Sequence, residues 1–110
     1  MDELVVLYTT WPDAETAEAC GRRAVEDKLA ACANVLAPMR SIYRWEGQIQ
    51  VEAETAMLLK TTEGAAPKLR ELILKYSPYD VPCIVALQTE SRNCNPAYVS
   101  WVRDEIVQQP

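Results

Sequence analysis

The apolar residues in the first quarter of the chain predict a buried strand followed by an amphipathic helix. Residues 4–10 form a continuous apolar and β-branched run, which predicts a central strand covered on both faces. Asp13 can cap the helix that follows. Small and apolar residues then recur at helical spacing: Ala17, Gly21, Ala24, Val25, Leu29 and Cys32. The small side chains on this stripe indicate a helix lying close against a sheet.

A long hairpin is predicted next. Residues 33–45 have extended character, Pro38 marks a strand edge or a bulge, and Glu46-Gly47 is a turn candidate. From Gln48 onward the chain alternates with a period of two. One face carries Ile49, Val51, Ala53, Thr55, Met57 and Leu59, and the other carries Gln50, Glu52, Glu54 and Lys60. Two strands of about 12 residues each would project beyond the helices.

The second half of the chain predicts two helices separated by one strand. Pro67 fits the first turn of a helix, and residues 83–87 predict a largely buried strand. Asn95 followed by Pro96 indicates the start of the last helix. The apolar positions of the two helices are Leu69, Leu72, Ile73 and Tyr76, then Tyr98, Val102 and Ile106. We expect Tyr98 and its neighbour Trp101 to anchor the last helix rather than to bind a ligand.

The predicted order is βαββαβ followed by a helix, which is typical of an α+β, ferredoxin-like sandwich. We expect one domain over residues 1–110. A long hairpin leaves unpaired strand edges, which monomers avoid and symmetric oligomers use. We therefore expect an oligomer held together by strand addition between subunits.

Composition excludes several classes of enzyme. The 110 residues contain no histidine, which excludes Ser-His-Asp triads, Cys-His dyads and HExxH or Cys₂His₂ zinc sites. With only three glycines, the chain has no glycine-rich loop to hold a phosphate. A chain of 110 residues is long enough to bury one core without disulfides or a structural metal. We expect a protein that is not an enzyme and requires no cofactor.

Charge and apolar run length bear on partners and location. Sixteen acidic residues against eleven basic ones give a net charge of −5, the wrong sign for binding nucleic acid. The apolar runs are far shorter than the ~20 residues that span a bilayer. The first three residues, Met1-Asp2-Glu3, lack the basic start of a signal peptide. We expect a cytoplasmic protein with no membrane partner.

The four cysteines are Cys20, Cys32, Cys83 and Cys94, and none belongs to a CxxC pair. In a chain without an export signal we expect reduced thiols, each fitting the role of a small buried hydrophobe. All of these except Cys20 are also candidates for a metal site. Cys32 could be a ligand or a reactive thiol, and Cys83 and Cys94, which border the predicted fourth strand, could hold Cu(I) if the fold brings their thiols together.

Five ordered blocks resemble the CutA family of divalent-cation tolerance proteins over nearly the whole chain. The blocks are KLAACANV at 28–35, SIYRWEGQI at 41–49, Glu54 with LKTT at 59–62, Pro78-Tyr79 with Pro82 and Ile84, and Tyr98 with Trp101. The resemblance implies a cytoplasmic homotrimer of ferredoxin-like subunits, linked to tolerance of copper and other divalent metals. It also implies the subunit plan of PII signalling proteins. A regulatory module that binds a small metabolite between subunits therefore remains an alternative.

Two positions depart from the pattern of the family that the chain resembles. Members commonly carry a histidine directly before the Pro-Tyr pair, where this chain has Ser77. They also commonly carry a glutamate after the second proline, where this chain has Cys83. Thiolate prefers Cu(I) and Zn(II), whereas carboxylate suits harder ions. Any metal site here would therefore be softer than usual or absent.

Five residues are candidates for an inter-subunit cleft: Tyr43, Trp45, Glu54, Lys60 and Tyr79. Tyr43 and Trp45 share one face of the hairpin, where they can pack against a neighbouring subunit or form pocket walls. Glu54 and Lys60 have an even separation, so both point to one face, as a weak surface pair or as part of the cleft. The glutamates near the hairpin, Glu46, Glu52 and Glu54, form either a solvated face or a weak oxygen site for a divalent cation.

Overall fold

The structure is a computed structural model that describes residues 2–36 and 38–106. Its strands are β1 (Leu4–Trp11), β2 (Cys32–Val35), β3 (Met39–Trp45), β4 (Gln48–Thr62) and β5 (Ile84–Gln88). Its helices are α1 (Ala14–Glu26), α2 (Ala66–Tyr76) and α3 (Pro96–Glu105), with a 3₁₀ turn at Ser91–Asn93. No helix in these ranges is long and apolar enough to cross a membrane.

All strand pairs are antiparallel, and the sheet has the order β2-β4-β1-β5. This order confirms the predicted α+β, ferredoxin-like fold. β4 is 15 residues long, and the part of it that follows Glu54 pairs with β1 on one side. Its first half, residues 48–54, pairs with β3 alone among the described strands. The β3–β4 hairpin therefore projects from the sheet, as the long alternation predicts.

The second predicted strand is two strands in the structure. Val35 of β2 pairs with Met57 of β4, whereas Met39 of β3 pairs with Glu54. Three residues, 36–38, separate these two pairs on one side and two residues, 55–56, separate them on β4, so one extra residue is inserted. Pro38 lies in this interval. Because proline has no N–H to donate to the ladder, the interruption falls where the sequence marks a bulge.

The main core lies between the sheet and the first two helices. From the sheet it receives Val5, Leu7, Trp11, Met57 and Leu59, all at most 4% exposed. α1 comes close to β4 at Gly21, where a Cβ atom would lie 2.9 Å from the Met57 sulfur. The predicted stripe on this helix is partly wrong, because α1 ends at Glu26 and Val25 is 42% exposed.

The last helix packs on the opposite face of the sheet through two of the three predicted residues and one that was not predicted. Val99, Val102 and Ile106 form its buried stripe, which covers Leu4 and Val6. Tyr98 and Trp101, the expected anchors, are instead 37% and 43% exposed, with ring centroids 5.5 Å apart. Valine at 99 completes the helical spacing with 102 and 106, and this turns the two aromatic rings outward.

Candidate functional site

A cavity of about 660 Å³ opens where the hairpin leaves the body of the sheet. Three strands and one loop form its walls: β1, β3, β4 and the segment between α2 and β5. The strands present the sheet face opposite to α1 and α2. Since paired residues of neighbouring strands point to the same face, alternate positions of each strand reach one space.

Aromatic side chains make up a third of the cavity lining. Tyr8 comes from β1, Tyr43 and Trp45 from β3, and Tyr79 from the loop after α2. Tyr43 and Trp45 are two residues apart on one strand, so they share its cavity face, as predicted. They are 39% and 49% exposed, which leaves much of each ring surface free for contact with a ligand or another subunit.

The cavity is acidic. Glu52 and Glu54 of β4 and Asp80 of the loop line it, and its lining includes no lysine or arginine among the described residues. Burial raises the pKa of the Tyr43 phenol, and the carboxylates of Glu52 and Glu54 raise it further. The negative potential that opposes phenolate formation would attract a cation to the same space.

Tyr79 and Glu54 join the loop to the hairpin. The Tyr79 hydroxyl donates a 2.6 Å hydrogen bond to Glu54 Oε2. Burial and this carboxylate raise the pKa of Tyr79 above its ordinary value. The backbone N–H of Tyr79 also donates to the Ser77 hydroxyl at 3.2 Å. Ser77 stands where members of the family that the chain resembles commonly carry a histidine, and it helps to position the ring at the cavity wall.

Lys60 is the one residue of the predicted cleft that the structure does not bring into this cavity. It lies six residues beyond Glu54 on β4, about 20 Å along an extended strand. Its Nζ atom lies 5.3 Å from the ring centroid of Tyr98 on α3. Even spacing places Glu54 and Lys60 on one face of the sheet, but the length of β4 keeps them apart.

The three candidate metal-binding thiols do not form one metal site among the described residues. Cys32 is on β2 and Cys83 immediately precedes β5, and these two strands form opposite edges of the main sheet order. Cys94 follows β5, and its Sγ lies 3.4 Å from the Glu90 carbonyl oxygen. All four cysteines are free, and no three Cys, Asp or Glu side chains of the described residues converge as a metal site. Of the three thiols, Cys83 lines the cavity.

Cys20 is fully buried on α1, as its predicted packing role requires. Burial raises the pKa of its thiol to about 12. At this pKa the thiol is neutral at neutral pH, which fits its packing role.

Several residues of the cavity lining were not predicted from the sequence. Tyr8 and Thr10 of β1 and Asp80 of the loop reach the cavity but lie far from the hairpin in sequence. The continuous apolar run of β1 predicted burial on both faces. The register Thr10 to Ala56 is what places β1 beside the base of the hairpin.

We expect the variant Tyr79→Phe to lower the free energy of unfolding by about 1–2 kcal/mol, because it removes a half-buried hydrogen bond to a carboxylate. Urea titration of both proteins at equal concentration measures the difference. Since the folded pKa of Tyr79 is raised, the contribution is complete below the ordinary tyrosine pKa of about 10. It shrinks above that pH as the unfolded tyrosine ionises.

Two results would argue against this role for the Tyr79 hydroxyl. One is equal stability of Tyr79→Phe and the parent protein at pH 7. The other is a stability difference that persists unchanged at pH 11. The variant Glu54→Gln retains a hydrogen-bond acceptor for the phenol, so we expect it to cost less than Tyr79→Phe.

Comparison with known proteins gives one consistent result. The family model described as CutA1 divalent ion tolerance protein matches residues 5–105. The chain is 40% identical over 104 residues to the divalent-cation tolerance protein CutA of Thermus thermophilus, covering 94% of this chain and 97% of that protein. The crystal structure of CutA1 from Oryza sativa superposes with a TM-score of 0.92 at 31% identity, covering 97% and 96% of the two chains. The structure of the periplasmic divalent cation tolerance protein CutA from Archaeoglobus fulgidus gives 0.87 at 32% identity, covering 93% and 97%.

Proposed function

The chain belongs to the CutA1 family of divalent ion tolerance proteins, and we propose that it acts as a non-catalytic homotrimer that binds divalent cations weakly. The observation that carries this proposal is the acidic cavity. Glu52, Glu54 and Asp80 line it without a lysine or arginine among its described lining residues. Carboxylate and phenol oxygens suit hard divalent ions, and Cys83 adds one soft ligand that suits copper.

Weak binding follows from the spacing of these donors. Tight sites for divalent cations surround the ion with several ligands at fixed distances. Within one chain, no three acidic or thiol groups of the described residues converge in that way. A cation in this cavity would keep much of its hydration shell, and its affinity would come mainly from the local negative charge.

Exposed apolar surface supports the proposed assembly. Ile42, Ile49 and Val51 lie on the hairpin face turned away from the cavity and are 72%, 58% and 49% exposed. Val85 and Leu87 of the edge strand β5 are 48% and 46% exposed. Apolar groups beside free strand edges favour association between copies of the chain. We place the trimer in the cytoplasm, where four free thiols remain reduced.

Native mass spectrometry of the reduced protein tests assembly and binding together. We expect a trimer that takes up Mn²⁺ or Zn²⁺ weakly and loses about tenfold in affinity in the double variant Glu52→Gln/Glu54→Gln, because two carboxylates leave the cavity. Glu71→Gln, on the exposed surface of α2, controls for the loss of charge elsewhere. Anaerobic titration of Cys83→Ser with Cu⁺ measures the contribution of the thiol.

Two outcomes would count against the proposal. A monomer at micromolar concentration would remove the assembly. Equal metal uptake by the parent protein, Glu52→Gln/Glu54→Gln and Glu71→Gln would show that cations bind outside the cavity.

A further inference from the structure

We propose that the same cavity binds a small organic cation, an ammonium group on a compact apolar body. The proposal shares its location with the proposed metal site but rests on the aromatic lining, which coordination of a divalent ion does not need. Metal ions are bound through oxygen, nitrogen or sulfur, whereas aromatic faces attract organic cations whose hydration is weak.

The aromatic content of the lining is far above that of the chain. The protein contains three tryptophans, five tyrosines and no phenylalanine, so eight aromatic residues in 110. Four of these eight, Tyr8, Tyr43, Trp45 and Tyr79, are among the twelve residues that line the cavity. A surface that served only as a solvated strand face would not gather half of the aromatic side chains of the protein.

The charges around the rings favour a cation over a neutral ligand. Three carboxylates share the cavity with the four rings. The hairpin also carries Arg40 and Arg44, but these pair with Ala53 and Ile49, on the face that points away from the cavity. Acidic and basic side chains are thus separated onto opposite faces of one hairpin, and the aromatic rings lie on the acidic face.

The size and polar groups of the cavity fit a ligand larger than an ion. A volume of about 660 Å³ lies within the range of roughly 300–1,000 Å³ typical of small-molecule sites. Thr10, Ser41 and Gln50 also line it, and they supply hydroxyl and amide groups that can hydrogen-bond a polar end of the ligand. An ammonium at the rings and carboxylates, with a hydroxyl toward these residues, satisfies both parts of the lining.

Choline and its neutral carbon isostere 3,3-dimethyl-1-butanol provide the test, because they have nearly the same shape and differ in charge. Ligand-observed NMR titration of the assembled protein measures both dissociation constants. We expect choline to bind at least tenfold more tightly than the alcohol, since only choline gains from the rings and carboxylates. Equal affinities, or no saturable binding of choline, would overturn the proposal.

Aromatic variants then locate the binding. We expect Trp45→Leu to weaken choline binding about tenfold and Trp45→Phe to restore most of it. Trp101→Leu, which removes a tryptophan of similar exposure on α3, should leave the affinity unchanged. Equal losses in Trp45→Leu and Trp101→Leu, with the oligomer intact, would place choline outside the cavity and overturn the assignment.

The outcomes also separate this inference from metal binding. Choline binding that depends on Trp45, in a protein that takes up no Mn²⁺ or Zn²⁺, would support the organic cation alone. Metal uptake that depends on the glutamates, with no choline binding, would support the proposed function and overturn the inference. A lysine or arginine of a neighbouring copy filling the cavity would exclude choline from the trimer, which also overturns it.

Discussion

Replacing Thr9 with valine is expected to lower the free energy of unfolding by about 1–3 kcal/mol, although valine has nearly the same shape and favours strands. Both Thr9 and Trp11 have no exposed surface. The Trp11 indole N–H donates to the Thr9 hydroxyl at 2.7 Å, and that hydroxyl donates to the Met57 carbonyl at 2.8 Å. Valine would leave the buried indole N–H without an acceptor. Urea unfolding at fixed protein concentration measures the loss.

A matched variant and a double-mutant cycle isolate the hydroxyl. Thr10→Val makes the same change at the next residue, whose side chain lines the open cavity, and should stay within about 0.5 kcal/mol of the parent. In a Trp11→Phe background the donor is absent, so Thr9→Val should cost markedly less. Equal effects of Thr9→Val in both backgrounds would show that the hydroxyl does not satisfy the indole.

The hydrogen bonds from Trp11 to Thr9 and from Thr9 to the Met57 carbonyl connect the core to the base of the cavity. Trp11 is the last residue of β1 and pairs with Thr55. Thr55 directly follows Glu54, the residue at which β4 passes from the hairpin into the main sheet. The buried Trp11 therefore holds the base of the hairpin in place. We therefore expect the Thr9→Val change to loosen the base of the hairpin, which carries the Glu54 carboxylate.

The fold was predictable where apolar and polar residues follow a strict spacing along a whole element. β4 alternates from Gln48 to Lys60, and a period of two has one structural solution, so its start and its two faces were predicted correctly. The order of elements followed, because each helix is marked by a cap or an early proline. Asp13 accepts from the Thr16 N–H at 2.8 Å, and the Asn95 side chain accepts from Ala97 N–H.

The predictions that were wrong concern positions where tertiary packing decides which of two neighbouring residues is buried. Val99 and Tyr98 are adjacent apolar residues on α3, and spacing alone does not decide which one is buried. The structure buries Val99 in one cluster with Ala31 and Ala65. These small side chains leave room for a valine, whereas a tyrosine ring in its place would overfill the space.

The candidate site was predictable only in part, because it joins segments distant in sequence. Tyr43, Trp45 and Glu54 belong to one hairpin, so their common face follows from alternation. The places of Tyr8 and Asp80 depend on the strand order and on a loop after α2, and neither has a local pattern. Lys60 was placed in the site wrongly for a different reason. It shares a face of β4 with Glu54, but on a strand of 15 residues two side chains on one face can lie too far apart to share a site.

Replacing Ile42 with lysine is expected to dissociate the proposed homotrimer. Ile42 is 72% exposed in a single chain and pairs with Val51, beside Arg40 and Arg44 on the same face. Burying an isoleucine contributes about 1.5–3 kcal/mol per copy, so three copies lose enough to weaken association by several powers of ten. A lysine also adds positive charge next to two arginines. Analytical ultracentrifugation at micromolar concentration measures the mass.

The control is Leu74→Lys, because Leu74 is 48% exposed on α2, away from the hairpin, and should keep the trimer. Ile42→Lys should retain its circular dichroism, since the main core lies within one chain between the sheet, α1 and α2. A trimer that survives Ile42→Lys would exclude this face as the contact. Ile42 alternates with the cavity residues Ser41 and Tyr43 along β3. A dissociated variant that also loses choline affinity would therefore mean that a neighbouring subunit forms part of the cavity wall.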